Sequence, residues 1–188
     1  MSTVGIVCEY NPFHKGHLYQ IEQAKKLTGA SHVVCFMSGN FLQRGIPALA
    51  DKFTRAETAI RCGADIIFEI PFVYSTSSAR DYATAAVTMM NMSDAIDYIS
   101  FGAETDNLPL LSFIADIIEN EPINVSACIK QSMSSGMTYG AARAHAIAEY
   151  LHSNDIFKDS GLTFESSFAP EDSIKSIMAS PNNILAIE

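Results

Sequence analysis

Four short runs rich in Val, Ile, Phe and Tyr, at 3–10 (TVGIVCEY), 32–37 (HVVCFM), 65–70 (DIIFEI) and 97–101 (DYISF), are hydrophobic continuously rather than at alternate positions. A strand with one wet face alternates, whereas a strand covered on both faces does not, and such strands belong to parallel sheets flanked by crossover helices. Helical patterns fill the intervals. Residues 17–28 place Leu18, Ile21, Ala24 and Leu27 on one stripe and end at Gly29. Residues 52–62 follow Asp51, a good N-cap, run through Phe53, Ala56 and Ile60, and end at Gly63. The Ala- and Met-rich residues 77–92 predict a third, well-buried helix. The order β-α-β-α-β-α-β with short connections predicts the α/β class, a doubly wound parallel sheet with right-handed crossovers. Ligands of such sheets sit beyond the carboxyl ends of the strands.

Residues 1–107 form this expected nucleotide-binding core, and residues 108–188 an expected helical extension of the same domain. In the extension, 108–119, 124–134 and 137–152 read as helices joined at Pro122 and Gly136, and the polar, turn-rich 153–172 as an irregular excursion.

The 188 residues, 48% hydrophobic and 18% charged, suffice to bury one sizeable core. The apolar runs are too short for a membrane span, and the N-terminus lacks the cationic and long apolar regions of a signal peptide, so a cytoplasmic location is expected. Cys8, Cys35, Cys62 and Cys128 lie scattered in apolar segments without paired spacing, and read as reduced core residues rather than disulfides or metal ligands. A net charge of −9 argues against a broad basic face for a nucleic-acid backbone. It leaves room for a small anionic ligand held by a few local cations and backbone N–H groups.

The segment EYNPFHKGHLYQ (9–20) leaves the first strand and opens the first helix, where such a ligand crevice is expected. A helix N-terminus attracts phosphate, and His14 and His17 add donors for oxygens that gain negative charge during displacement. Gly16 allows close approach to the backbone, and Pro12 stiffens the entry. The arrangement suits nucleotidyl transfer, in which a nucleophile attacks the α-phosphate of a nucleoside triphosphate. Metal binding is the competing reading, but neither histidine has a nearby Cys or Asp to complete a tetrahedral set, and no metal site is expected.

EYNPFHKGH resembles the HxGH signature of the nucleotidylyltransferase superfamily. Together with MSGNFLQRGIPALADKFTRAE (37–57), GADIIFEIPFVYSTSSA (63–79), YISFGAETD (98–106) and SPNNILAIE (180–188), it resembles the tRNA(Met) cytidine acetate ligase family over the whole chain. The resemblance implies a Rossmann-like fold of the HIGH nucleotidylyltransferase type. It also implies ATP-dependent activation of acetate to acetyl-adenylate, with acetyl transfer to N4 of the wobble cytidine of elongator tRNA(Met), assisted by Mg²⁺ on the triphosphate. On that analogy Val7, Cys8, Glu9, Tyr10, Asn11, Pro12, Phe13, His14, Lys15, Gly16, His17, Leu18, Tyr19 and Gln20 cradle ATP, with His14 and His17 the catalytic pair against the phosphates. Gly102 would let adenine pack on the backbone, and Asn182 or Asn183 would add a polar contact. Ser38, Arg44, Lys52 and Arg55 are candidate contacts for an anionic acceptor or the triphosphate, against the alternative of a solvated helix face for Lys52 and Arg55. Glu69 and Glu104 are weaker candidates for orienting water or magnesium, since carboxylates at strand ends often cap a helix.

Members of that family are longer. The serine/threonine-rich and arginine segment that closes over the triphosphate in the superfamily, and a basic C-terminal region, are absent from these residues, and Ala186 stands where the family usually has glycine. The expectation is therefore an N-terminal portion carrying the ATP-binding part.

Overall fold

The computed structural model describes residues 1–153 and 170–188. The described chain divides into two compact units, Met1–Gly102 with Glu188, and Ala103–Ile187.

The first unit is a four-stranded parallel sheet of order β3-β2-β1-β4, built from β1 (Thr3–Cys8), β2 (His32–Ser38), β3 (Ile66–Ile70) and β4 (Tyr98–Ser100). Register runs Ile6 opposite Cys35, Ile6 opposite Ser100, and Met37 opposite Glu69, so all four carboxyl ends lie at one edge. Helix α1 (Lys15–Thr28) joins β1 to β2, and α2 (Lys52–Arg61) joins β2 to β3. A one-turn helix α3 (Phe72–Ser75) and the long α4 (Ala79–Ser93) carry the chain from β3 past two strands to β4. The strand order therefore reverses between β1 and β4, where crevices open in sheets of this kind.

Residues one apart point to opposite faces, and both faces of the central strands are used. Val4, Ile6 and Cys8 of β1 and Val33, Cys35 and Met37 of β2 pack with Ile21, Ala24 and Ala59 of α1 and α2. On the other face, a Cβ at Gly5 would sit 3.0 Å from the Met90 sulfur and from a methyl of Ile96, so glycine is what lets α4 settle onto β1.

The edge strands depart from the expectation of two covered faces. Ile66 and Phe68 of β3 and Tyr98 and Ile99 of β4 are 45–49% exposed, because an edge strand has a neighbouring strand on one side only. The apolar stripe expected on α2 is also turned. Phe53 and Ile60 are exposed, while Arg55 and Ala59 face the sheet.

The second unit is helical: α5 (Leu108–Asn120), α6 (Ile123–Ser134), α7 (Tyr139–Ser153), α8 (Pro170–Ala179) and α9 (Pro181–Ile187). Leu110, Leu111, Ile114 and Ile117 of α5 form the helix-spaced stripe that meets Val125, Ile129, Ile147, Leu151 and Ile174 in one core. Helices α8 and α9 fall within the extension expected to be helical, although no periodic pattern marks either one singly. Most of the excursion expected at 153–172 lies outside the described residues; at its margins Ser153 ends α7 and Pro170 opens α8. Among the described residues, no helix is long and apolar enough to cross a membrane.

Candidate functional site

The junction after β1 is built by side chains that bond back to their own backbone. His14 is the N-cap of α1, in extended conformation, and its Nδ1 accepts the Gly16 N–H at 3.1 Å. His17, at the third helical position, returns the bond: its Nδ1 accepts the His14 N–H at 3.2 Å. The result is a capping box made from two imidazoles in place of the usual hydroxyl and carboxylate. Helix α1 thus begins at Lys15 and not at residue 17, with both histidines part of its first turn.

The two rings stack, centroids 3.6 Å apart and planes 21° from parallel. With each Nδ1 occupied as an acceptor, the neutral rings carry their protons on Nε2, which leaves two N–H donors side by side. His17 is half-buried against Tyr10 and Phe13, with ring centroids 4.8 and 5.5 Å away. Burial first, and the charge of His14 second, pull its pKa down to about 4, so it is neutral at pH 7. His14, Lys15 and Gly16 are exposed. A Cβ on Gly16 would come within 3.0 Å of His14 Cε1, so glycine here first makes room for the His14 ring itself.

The loop is held from behind. Tyr10 is left-handed (φ 47°) and fully buried, its hydroxyl 3.4 Å from Cys35 Sγ. Glu9 Oε1 accepts the Gln43 N–H at 2.8 Å, and Asn11 Oδ1 accepts the Leu49 N–H at 2.6 Å, so two side chains of the loop cap the segment that follows β2. Gln43 Nε2 in turn donates to the Ser77 carbonyl. Arg55, 2% exposed, reaches from α2 into the same place. Its Nη1 donates to the Glu9 carbonyl, its Nη2 to the Ser38 and Gly39 carbonyls, and its Nε to Ala50.

The candidate anion contacts therefore separate. Arg55 is no anion-facing cation, because its donors are engaged by backbone carbonyls at the exits of β1 and β2. Ser38 is also turned inward, fully buried with its hydroxyl 3.2 Å from that of Tyr82. Lys52 pairs with Glu69, Nζ to Oε2 at 2.5 Å. Arg44 stands exposed at the turn of a small hairpin whose Phe41 and Pro47 bridge. Gly102 lies two residues beyond Ser100 at the same sheet edge, exposed, with nothing within 4 Å of where a Cβ would be.

In the second unit the two asparagines part ways. Asn183 is fully buried, and its Oδ1 accepts the Glu104 and Thr105 N–H groups at 2.9 and 3.1 Å. Its Nδ2 donates to Thr105 Oγ1 and the Ile177 carbonyl. Glu104 replies by accepting the Asn182 and Asn183 N–H groups, capping the start of α9 as strand-end carboxylates often do. Asn183 is thereby committed to structure, and Asn182 is the member of the pair whose side chain is exposed.

Sequence reasoning did not single out Gln43, Tyr82 or Asn40, whose roles depend on partners more than ten residues away. Asn11, by contrast, carried a signal, since an Asx residue before proline is a loop-capping pattern.

Comparisons with known proteins place the chain in a family. A family model described as HIGH Nucleotidyl Transferase matches residues 1–188. The tRNA(Met) cytidine acetate ligase of Clostridium novyi is 42% identical over all 188 residues, which span 43% of that protein. The protein of the same name from Halothermothrix orenii is 39% identical, with 42% of its length spanned. The crystal structure of Thermotoga maritima TmcAL bound with alpha-thio ATP superposes with a TM-score of 0.85 at 32% identity, covering 100% of this chain and 42% of that one. The chain thus spans less than half the length of the relatives it matches.

Proposed function

The chain belongs to the HIGH nucleotidyl transferase family, and from that premise we propose that it is the ATP-binding part of a tRNA(Met) cytidine acetate ligase. The observation that carries the reading is the pair of stacked imidazoles at the start of α1, each with its Nδ1 taken by a backbone N–H so that Nε2 is the ring atom left for a ligand. The solved relative bound to an ATP analogue supports a nucleotide as the ligand, and the names of the relatives support acetate and a tRNA cytidine as the co-substrates.

In the first step an acetate oxygen attacks the α-phosphorus of ATP. A P–O bond forms, the bond to the bridging oxygen breaks, and pyrophosphate departs with the electron pair. Acetate is already ionised at neutral pH, so no protein nucleophile is needed, and positioning and charge stabilisation carry the barrier. His14 and His17 donate to phosphate oxygens from Nε2, and the N-terminus of α1 adds the positive end of its dipole, its Gly16 and His17 N–H groups being taken within the cap. Among the described residues no three His, Cys, Asp or Glu side chains converge on a metal position. A Mg²⁺ ion, which usually keeps water and phosphate oxygens among its ligands, would neutralise charge on the triphosphate.

In the second step N4 of the cytidine attacks the acetyl carbon. An N–C bond forms, the C–O bond to AMP breaks with its electron pair leaving on the phosphate, and N4 loses a proton to solvent. Cytosine's amine is a poor nucleophile because its lone pair is delocalised into the ring, which accounts for the mixed anhydride.

The test is ATP–pyrophosphate exchange by the full-length protein with and without acetate. Acetate-dependent exchange is expected. Exchange that ignores acetate, or binding of ATP with no exchange, would rule the assignment out.

A further inference from the structure

One ion pair at the sheet's carboxyl edge is left over from the nucleotide site. Glu69 is the fourth residue of β3, and Lys52 opens α2; Oε2 and Nζ meet at 2.5 Å, with the side chains 47% and 29% exposed. Two neighbours fix them. The Asn40 side chain accepts the Lys52 N–H at 2.9 Å, and Gly39 leaves space that Glu69 Oε1 occupies, since a Cβ there would overlap that oxygen. Among the described residues, Oε1 accepts no hydrogen bond and Nζ donates just the one to Glu69. The pair therefore offers a fixed acceptor and two spare donors to whatever approaches.

The segments that carry the pair also carry exposed rings. Phe41 and Phe72 form an edge-to-face pair, centroids 5.5 Å apart, and are 40% and 60% exposed. Phe53 is 75% exposed, with Lys52 Nζ 5.4 Å from its ring centre. Each belongs to a segment that holds the pair: Phe41 follows Gly39 and Asn40, Phe72 follows Glu69, and Phe53 adjoins Lys52. Exposed rings on the same segments as an open acceptor and spare donors suit a planar, hydrogen-bonding ligand.

The location is also defined. The order reversal puts the nucleotide's half of the crevice at β1 and β4, and β3 lies on the opposite side of β1, about 10 Å or two strand spacings away. The Arg55 guanidinium spans from the Glu9 carbonyl to the Gly39 carbonyl, so the pair stands one side chain from the β1–α1 loop.

We propose that Lys52 and Glu69 read the Watson–Crick edge of an unstacked cytosine lying against the neighbouring phenylalanines. The inference rests on the ligase reading above, which supplies cytidine as the acceptor. Cytosine presents an N4 amine donor beside the N3 and O2 acceptors, which matches a carboxylate beside an ammonium; carboxylates accept from cytosine N4 elsewhere in nucleic-acid recognition. Uracil reverses the first two positions, putting O4 against Glu69 and an N3–H against Lys52. A base must leave its stack to be modified at such an edge, and an aromatic face repays part of that cost.

The experiment is equilibrium binding of two labelled RNA hairpins, identical except for C or U at one unpaired position, to the full-length protein, with acetate-dependent ATP–pyrophosphate exchange measured in parallel. The wild type should prefer the C hairpin by roughly ten- to hundredfold, the range of one well-made base-edge contact. Glu69→Ala should abolish the preference, and exchange measured on the same variant separates loss of the base contact from damage to the nucleotide site. Glu69→Gln, whose amide can turn to donate to O4, should bring the ratio near one by admitting the U hairpin. A wild type indifferent to C and U, or a preference intact in both variants, would overturn the proposal. Loss of acetate-dependent exchange in the wild type instead strikes the ligase reading itself.

Discussion

Replacing Arg55 with Met tests whether the site is held together from beneath. The substitution keeps most of the side-chain volume and removes the donors that join the Glu9, Ser38, Gly39 and Ala50 carbonyls. Hydrogen bonds from a charged donor contribute about 1.5–3 kcal/mol each, so the gross loss is large. Against it stands the relief of a desolvated cation, which costs several kcal/mol to bury. Burial does pull the Arg55 pKa down, opposed by the nearby Cys8, Glu9, Asp51 and Glu69. The net is a destabilisation of about 3 kcal/mol, comparable to removing one partner of a buried polar network. With a urea dependence of about 2 kcal/mol/M, the midpoint should fall by about 1.5 M. Because the chain has two units, the assay is urea unfolding read by hydrogen exchange on peptides, where loss of protection should appear first in β1 and β2 and not in α5–α9. Arg55→Lys, which keeps the charge but not the fork, should recover part of the loss. A midpoint lowered by less than about 0.5 M, or protection lost equally in both units, would refute the clamp.

Other perturbations separate chemistry from support. His17→Ala removes one half of the capping box and contacts with Tyr10 and Phe13, so a stability loss of about 1–2 kcal/mol is expected, while exchange should fall by about a hundredfold or more; equal activity per folded molecule would make the ring purely structural. The His17 ring, observed by NMR, should titrate near pH 4 rather than 6.5. Because the unfolded chain takes up that proton first, the stability His17 contributes is present above pH 6.5 and declines as pH falls towards 4, and His17→Ala should flatten this limb of the stability profile. Gly16→Ala should leave the fold near wild type but displace the exposed His14 ring, lowering ATP-dependent exchange by about tenfold, as a misplaced donor does. Asn183→Ala should cost the second unit about 2–3 kcal/mol through stranded N–H groups, whereas Asn182→Ala should change stability by less than about 0.5 kcal/mol; thermal unfolding of the two variants compares them.

Local pattern determined a good deal. Continuous apolar runs marked all four strands to within a residue or two, and Asp51 and Gly29 marked a helix start and a helix end, because strand preference and cap chemistry are properties of adjacent residues. The HxGH segment was likewise visible as a strand-to-helix junction, since its position follows from the order of elements. Its inner geometry was not. That two imidazoles cap each other's helix turn depends on ring orientation, and histidine is not among the residues by which helix starts are recognised.

Tertiary structure alone decided the rest. Periodicity put Phe53 and Ile60 of α2 inward, but the carbonyls gathered at the exits of β1 and β2 needed donors, and satisfying them turned Arg55 to the sheet and left Phe53 in water. The same applies to Asn182 and Asn183, indistinguishable as neighbours in sequence and separated by which one faces Glu104 and Thr105. Sequence records which groups a residue can offer. Which of those groups is taken depends on buried polar atoms brought together from distant segments, and that requirement exists only once the chain has folded.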